Sequence, residues 1–260
     1  MRRAITPSAW GAMRLGRLTP ADQAATSALR DACASRRRTV GLVVPGTALR
    51  GWALDGLHAQ ALQGDGSHWQ DCDFAGAQLD RARLRHAHLQ ACTLVGSRWS
   101  ALDACGLQAP GSDWAGAVVE DSWFDGAALA DVDFSAAWLA GSRFDRAQLD
   151  GARFDEAQAD GVSYRGASAV GATFAGAWLA GADFRGADLR DAVFSKAQLE
   201  GADFRGATLD GACFDGALCS GARFDAAPMA ADGQAPVAMP PQGPGPRPTV
   251  LPDDDPDSGR

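Results

Sequence analysis

The residues best suited to chemistry are four histidines and six cysteines, and their spacing limits what they can do. His68 and His88 stand twenty residues apart with His86 nearby, so three imidazoles could hold Zn²⁺ if the fold made them converge. A zinc site also needs a fourth ligand and groups that orient the imidazoles, and neither is evident. Cys33, Cys72, Cys92, Cys105, Cys213 and Cys219 lack the close paired spacing of metal or redox motifs and read as reduced, buried, small apolar filler. No Ser-His-Asp or Cys-His arrangement, phosphate-cradling glycine loop or paired acid in a cleft can be assembled. The expectation is a protein without catalysis, cofactor or metal.

What positions these side chains is a five-residue beat. All eleven Phe, from Phe74 to Phe224, fall at numbers ending in 4, and eleven Leu between Leu79 and Leu209 share their phase. Between Gly46 and Gly221, 23 glycines lie two residues after such a central position, and only Gly64 does not. Strict five-residue spacing walks around an α-helix instead of forming a stripe, and a flat strand of period two would never reset. The pattern requires a short extended segment with two inward side chains, then a corner where Gly tolerates unusual backbone angles. Four corners close a square of twenty residues, and squares stack about 4.8 Å apart through parallel main-chain hydrogen bonds. The fold class expected is an all-β solenoid, a right-handed quadrilateral β-helix. Central positions 49 to 224 give 36 repeats, or nine coils, a rod roughly 43 Å long.

Ala182-Asp183-Phe184-Arg185-Gly186 and Ala202-Asp203-Phe204-Arg205-Gly206 closely resemble the pentapeptide-repeat family, whose consensus is a small residue, Asp or Asn, Leu or Phe, a variable residue and Gly. The resemblance covers about residues 46–227. The register also survives where the consensus fails. Leu57, Leu62, Leu102 and Leu107 occupy the normally small inward position, and their central partners are Ala59, Gly64, Ala104 and Ala109. Large and small have exchanged places, as two side chains sharing one close-packed space require.

Residues 1–45 differ in composition, with eight Arg against two acids. Thr19, Pro20 and Asp22 read as an N-cap, a first-turn Pro and a first-turn acid, which predicts a helix near 20–38 ending at Arg36-Arg37-Arg38. Such a helix would cap the open first coil. Residues 228–260 are rich in Pro and acids and read as a disordered tail. No apolar run approaches a membrane span and the first residues lack a signal-peptide core, so the expected location is cytoplasmic, with no membrane partner.

The exterior of the rod can be assigned side by side. Side one, through Phe184 and Phe204, carries seven charges of each sign. Side three carries Asp55, Asp73, Asp113, Asp133, Asp155 and Asp215 against Arg153 alone, an acidic side. Side four has the outward column Gln78, Arg98, Val118, Trp138, Gln158, Trp178, Gln198, Leu218. Its Val118, Trp138, Trp178 and Leu218 form either a partner surface or an intramolecular ladder of indoles folded flat over neighbouring coils.

Two functional classes follow. The first is a non-catalytic scaffold or adaptor for a protein partner, as the resemblance implies for members of bacterial secretion loci that serve as accessory components. The second is DNA mimicry, since family members that protect or inhibit DNA gyrase are acidic rods of duplex-like dimensions. Duplex DNA of about 43 Å presents roughly 25 negative charges, against a net of −11 over the repeats here. The projecting loops and C-terminal dimer-forming helix of the quinolone-resistance members also have no counterpart. The scaffold reading is therefore preferred, with no direct nucleic-acid binding and a homodimer as one possible assembly.

Overall fold

A chain that sends an apolar side chain inward at every fifth residue must turn after each one, and every turn has the same backbone signature. In the computed structural model, which describes residues 20–35 and 37–225, each residue two after a central position has positive φ, from Gly41 to Gly221. Thirteen of these corners are not glycine, among them Asp121, Ala136 and Lys196, at φ of 50° to 59°. The corner is therefore a property of the repeat, which glycine relieves without being obligatory. Leu57 N–H closes one such turn on the Leu54 carbonyl at 3.0 Å, the bond of a turn with positive φ at its third residue.

The coils stack in parallel at intervals of twenty residues. Nine successive bridges run from Val43 through Gln63 to Arg223 on side one alone. The coils are not uniform, and the turns built of regular strands are fewer than the nine coils expected. Regular strands occupy only the first turns, about four of them: β1 (Thr39–Val40), β2 (Ala48–Arg50), β3 (His58–Gln60), β4 (His68–Gln70), β5 (Gln78–Asp80), β6 (His88–Gln90), β7 (Arg98–Ser100) and β8 (Val118–Glu120). They form two parallel sheets, β1-β3-β5-β7-β8 and β2-β4-β6. Beyond them single-residue bridges carry the spiral. Corner hydrogen bonding accounts for part of the change. Later corners close on themselves, as Ser142 N–H does on Leu139 O at 3.0 Å. At two earlier ones the N–H groups of Leu102 and Ser122 instead donate to the hydroxyls of Ser122 and Ser142 one coil on, at 3.0 and 3.1 Å.

Inside, the central side chains form columns. Phe124, Phe144, Tyr164, Phe184, Phe204 and Phe224 stack along side one at 4.8–5.4 Å. A second column on side three runs from Phe134 to Phe214, and the two meet edge to face, as Phe174 and Phe184 do at 86°. Offset stacking within a column and edge contact between columns are the two arrangements aromatic quadrupoles favour. The exchanged positions hold: Leu57, Leu62, Leu102 and Leu107 are buried together with Ala59, Ala104 and Ala109.

The helix α1 spans Pro20–Ser35 and packs Leu29 and Ala32 onto the first coil. It stops short of the expected 38, and no base lies in its last turn. Ser35 Oγ donates to the Ala32 carbonyl at 3.0 Å and accepts the Arg37 N–H at 3.3 Å, ending the helix with a hydroxyl where the sequence suggested cations. Val40–Val44 joins the ladder, with Thr39 opposite Ala59 and Val43 opposite Gln63. Thr19, the expected N-cap, and the tail at 228–260 lie outside the described residues. Among the described residues no helix is long and apolar enough to cross a membrane.

Candidate interaction faces

The exterior follows from where each repeat sends its five N–H groups. In the repeat at 172–176, Ala172 N–H closes the corner on Ala169 O (3.1 Å) and Thr173 N–H reaches back one coil to Ala152 O (2.9 Å). Phe174 and Gly176 reach forward to Val193 O (2.7 Å) and Ser195 O (2.9 Å). Ala175, just after the central residue, donates to Asp155 Oδ1 of the preceding coil at 3.0 Å. Among the described residues twelve Asp side chains serve this same position, seven from within the repeat and five from one coil away. A buried or half-buried amide without a partner is costly, so the recurring Asp completes the main-chain hydrogen bonding of the square.

Such a five-residue unit, with a corner, an inward pair and an Asp that caps the amide after the central residue, is the geometry of a pentapeptide repeat. A family model of pentapeptide repeats, in eight copies, matches residues 65–98, 127–163 and 170–206. These stretches are pentapeptide repeats. No curated protein sequence matches it. Among solved structures it is similar to HetL, a pentapeptide repeat protein involved in heterocyst differentiation regulation from the cyanobacterium Nostoc sp. strain PCC 7120. The identity is 23%, over 80% of this chain and 98% of that one, with a TM-score of 0.56. QnrB1, a plasmid-mediated fluoroquinolone resistance protein, matches at 18% identity over 73% of this chain and 94% of its own, with a TM-score of 0.41. A thylakoid-lumen pentapeptide repeat protein of Arabidopsis thaliana is 33% identical over 38% of this chain and 66% of its own, with a TM-score of 0.21. At these identities the HetL likeness speaks for the pentapeptide-repeat fold alone.

On side three of this pentapeptide rod, the acids are tied to the main chain. Asp73, Asp113 and Asp133 accept the N–H groups of Ala75, Ala115 and Ser135 at 2.8–3.0 Å, and Asp155 holds Ala175. Arg153 lies 3.5 Å from Asp133 and 3.6 Å from Asp155. Asp215 is exposed. Asp55, also exposed, faces the thiol of Cys33, which burial, aided by that carboxylate, pushes up to about 11. Charge counting along the sequence missed this capping role; the Asp-to-amide spacing of two or twenty residues was the signal that could have found it.

Side one is internally paired. Arg185 meets Asp183 through Nε at 2.8 Å and Nη2 at 2.6 Å, and Arg205 meets Asp203 in the same way at 2.9 and 2.6 Å. Arg165 reaches Asp183 at 3.2 Å and Arg185 reaches Asp203 at 3.9 Å, linking successive coils. The Arg205 hydrogen bond, with the Arg205 amide and Arg185 assisting, holds the Asp203 carboxyl down at about 2.

Side two carries His68 and His88. The rings of His68 and His88 stack face to face, 4.4 Å apart and 9° from parallel, so their nitrogens lie side by side and do not converge. The ring of His86 lies instead over the Gly106 corner. Among the described residues no group of three His, Cys, Asp or Glu could hold a metal. A shallow open recess of about 530 Å³ lies beside the stack, walled by Gln70, Gln90 and Pro110, so the rod is less featureless than an unbroken convex surface. All six cysteines are free thiols. The hydrogen bond with Cys72 and then burial keep the Cys92 thiol protonated, far above the usual thiol range.

Side four differs in kind. Val118, Trp138, Gln158, Trp178, Gln198 and Leu218 occupy successive rungs of one ladder. Trp138 is 42% exposed, Trp178 48% and Leu218 55%, and Val118 is half-buried. The structure therefore brings the four apolar residues into one column, with the indoles two rungs apart.

Proposed function

We propose that this chain is a non-catalytic protein-interaction scaffold whose contact face is side four. The observation that supports it is the pair of half-exposed indoles, Trp138 and Trp178, on one ladder of a rigid rod. Large aromatic side chains held on a rigid backbone ladder lose little entropy on binding, and they are the residues most often found to carry interface energy. The other sides use many of their charges internally, in the Arg–Asp pairs of side one and the Asp-to-amide bonds of side three. Six free thiols suit a reducing compartment, and the reading takes the rod to act in the cytoplasm. An accessory place in a secretion assembly suits a rod of this shape.

The DNA-mimic reading has less support. A mimic must offer free negative charge at the spacing of phosphates, whereas Asp113, Asp133 and Asp155 each hold a backbone amide and Arg153 lies between two of them. The experiment is capture from native extract with tagged chain, wild type beside Trp138→Ala with Trp178→Ala. Loss of the captured protein with unchanged β-type circular dichroism supports the scaffold reading; identical capture by both would remove side four as its contact face.

A further inference from the structure

We infer that the occupant of side four is a second copy of this chain, the two rods lying side by side with their coils running in the same direction. This rests on side four being a contact face and adds what covers it.

Each rung of side four presents two outward residues, one before and one after the central position. On two rungs the first is a large indole and the second a methyl group: Trp138 with Ala140, and Trp178 with Ala180. The indoles stand 42% and 48% exposed, while the half-buried Ala140 and Ala180 beside them carry only a methyl group. A two-fold axis parallel to the rods sets the first edge of one copy against the second edge of the other at the same rung, and the reverse. Trp138 then covers Ala140 of the second copy, and Trp178 covers Ala180.

The polar rungs obey the same operation. Gln158 meets Asp160 of the second copy and Gln198 meets Glu200, an amide donor against a carboxylate in each case. At the end of the column Leu218, 55% exposed, meets the small Ser220. No rung opposes two like charges.

The reversed arrangement, with the rods antiparallel and centred on Gln158, fails this test. It lays first edge on first edge and second on second, so that Asp160 faces its own copy and Glu120 faces Glu200. Like charges brought together at an interface cost several kcal/mol. The column from Val118 to Leu218 spans five steps of the ladder, about 24 Å at ordinary strand spacing. A strip of that size is narrow beside permanent interfaces, so the association should be reversible, with Kd on the order of micromolar.

Sedimentation velocity of the full chain between about 1 and 100 µM tests the inference. Wild type should pass from monomer to dimer over that range. Trp138→Ala with Trp178→Ala, and separately Ala140→Arg with Ala180→Arg, should remain monomeric with unchanged circular dichroism. Gln198→Lys, which places an ammonium against Glu200, should tighten the dimer several-fold and serves as a variant whose gain cannot come from misfolding. A wild type that stays monomeric throughout overturns the inference, and so does a dimer that survives both alanine-to-arginine changes. If wild type is monomeric yet the tryptophan variant loses capture of another protein, the contact face stands and the second copy falls. If neither sedimentation nor capture responds to the tryptophan changes, both fall.

Discussion

Gly64 lies against the indole of Trp69: a Cβ built on it would come within 3.2 Å of the ring and 2.8 Å of Leu84 Cδ2. This glycine is the one out of phase with the corners, and its backbone does not need positive φ. It sits at a central position because Leu62 and Trp69 have filled the shared interior. Gly64→Ala should therefore destabilise the protein by about 1–3 kcal/mol through overpacking, even though alanine is an ordinary filler of this core. Thermal unfolding followed by circular dichroism checks it, and an unchanged midpoint would mean that the first coils are loosely packed.

Two chemically identical serine changes should differ. Ser97 Oγ accepts the Trp99 indole N–H at 2.7 Å in the buried interior, whereas Ser67 Oγ and Trp69 Nε1, at the same spacing, make no hydrogen bond. Ser97→Ala leaves a buried donor unsatisfied and should cost about 1–3 kcal/mol. Ser67→Ala removes nothing that is formed and should cost less than about 0.5 kcal/mol. Urea denaturation of the two variants measures the difference, and equal losses would contradict this assignment of the pairs.

Much of the interior was legible because a five-residue beat assigns every Phe and Leu to one phase, and Phe174, Phe184 and Phe194 are fully buried as that requires. The exchange of Leu102 with Ala104 was legible for the same reason: volume is conserved locally. Where α1 ends was not, because the Ser35 hydroxyl decides it against a run of Arg that looked like a dipole-matched terminus. The open corners of the early coils were not either, since the hydroxyls of Ser122 and Ser142 act from a coil away. On the exterior, the columns of side four could be read from period alone. The acids of side three could not, since a carboxylate that caps an amide and one that faces solvent have the same letter.

Asp203 makes stability depend on acid. Its folded pKa of about 2 lies below the ordinary unfolded value near 3.9, so its stabilising effect is present above about pH 4 and is lost as pH falls from there through about 2. The urea midpoint of wild type should drop over that interval more steeply than that of Asp203→Asn. Parallel curves would show that the Arg205 pairing does not persist in solution.

Side three separates charge from hydrogen bonding. Asp113, Asp133 and Asp155 replaced together by Asn keep an acceptor for the N–H groups of Ala115, Ser135 and Ala175 and should retain most of the stability. The same three replaced by Ala leave those amides unpaired and should cost about 1 kcal/mol each. Gyrase supercoiling should not respond to the wild-type protein or to the Asn variant. Inhibition by wild type that the Asn variant loses would revive the DNA-mimic reading.

The claim on which the functional account depends is that partners meet the rod on side four. A photo-crosslinking residue at Gln158, between the two indoles on their ladder, tests it most directly, with the same residue at Ala128 on side two as the control. Irradiation in cells should give a covalent product from position 158 and none from 128, at twice the mass of the chain if a second copy is the occupant. Products from 128 with none from 158 would contradict the account.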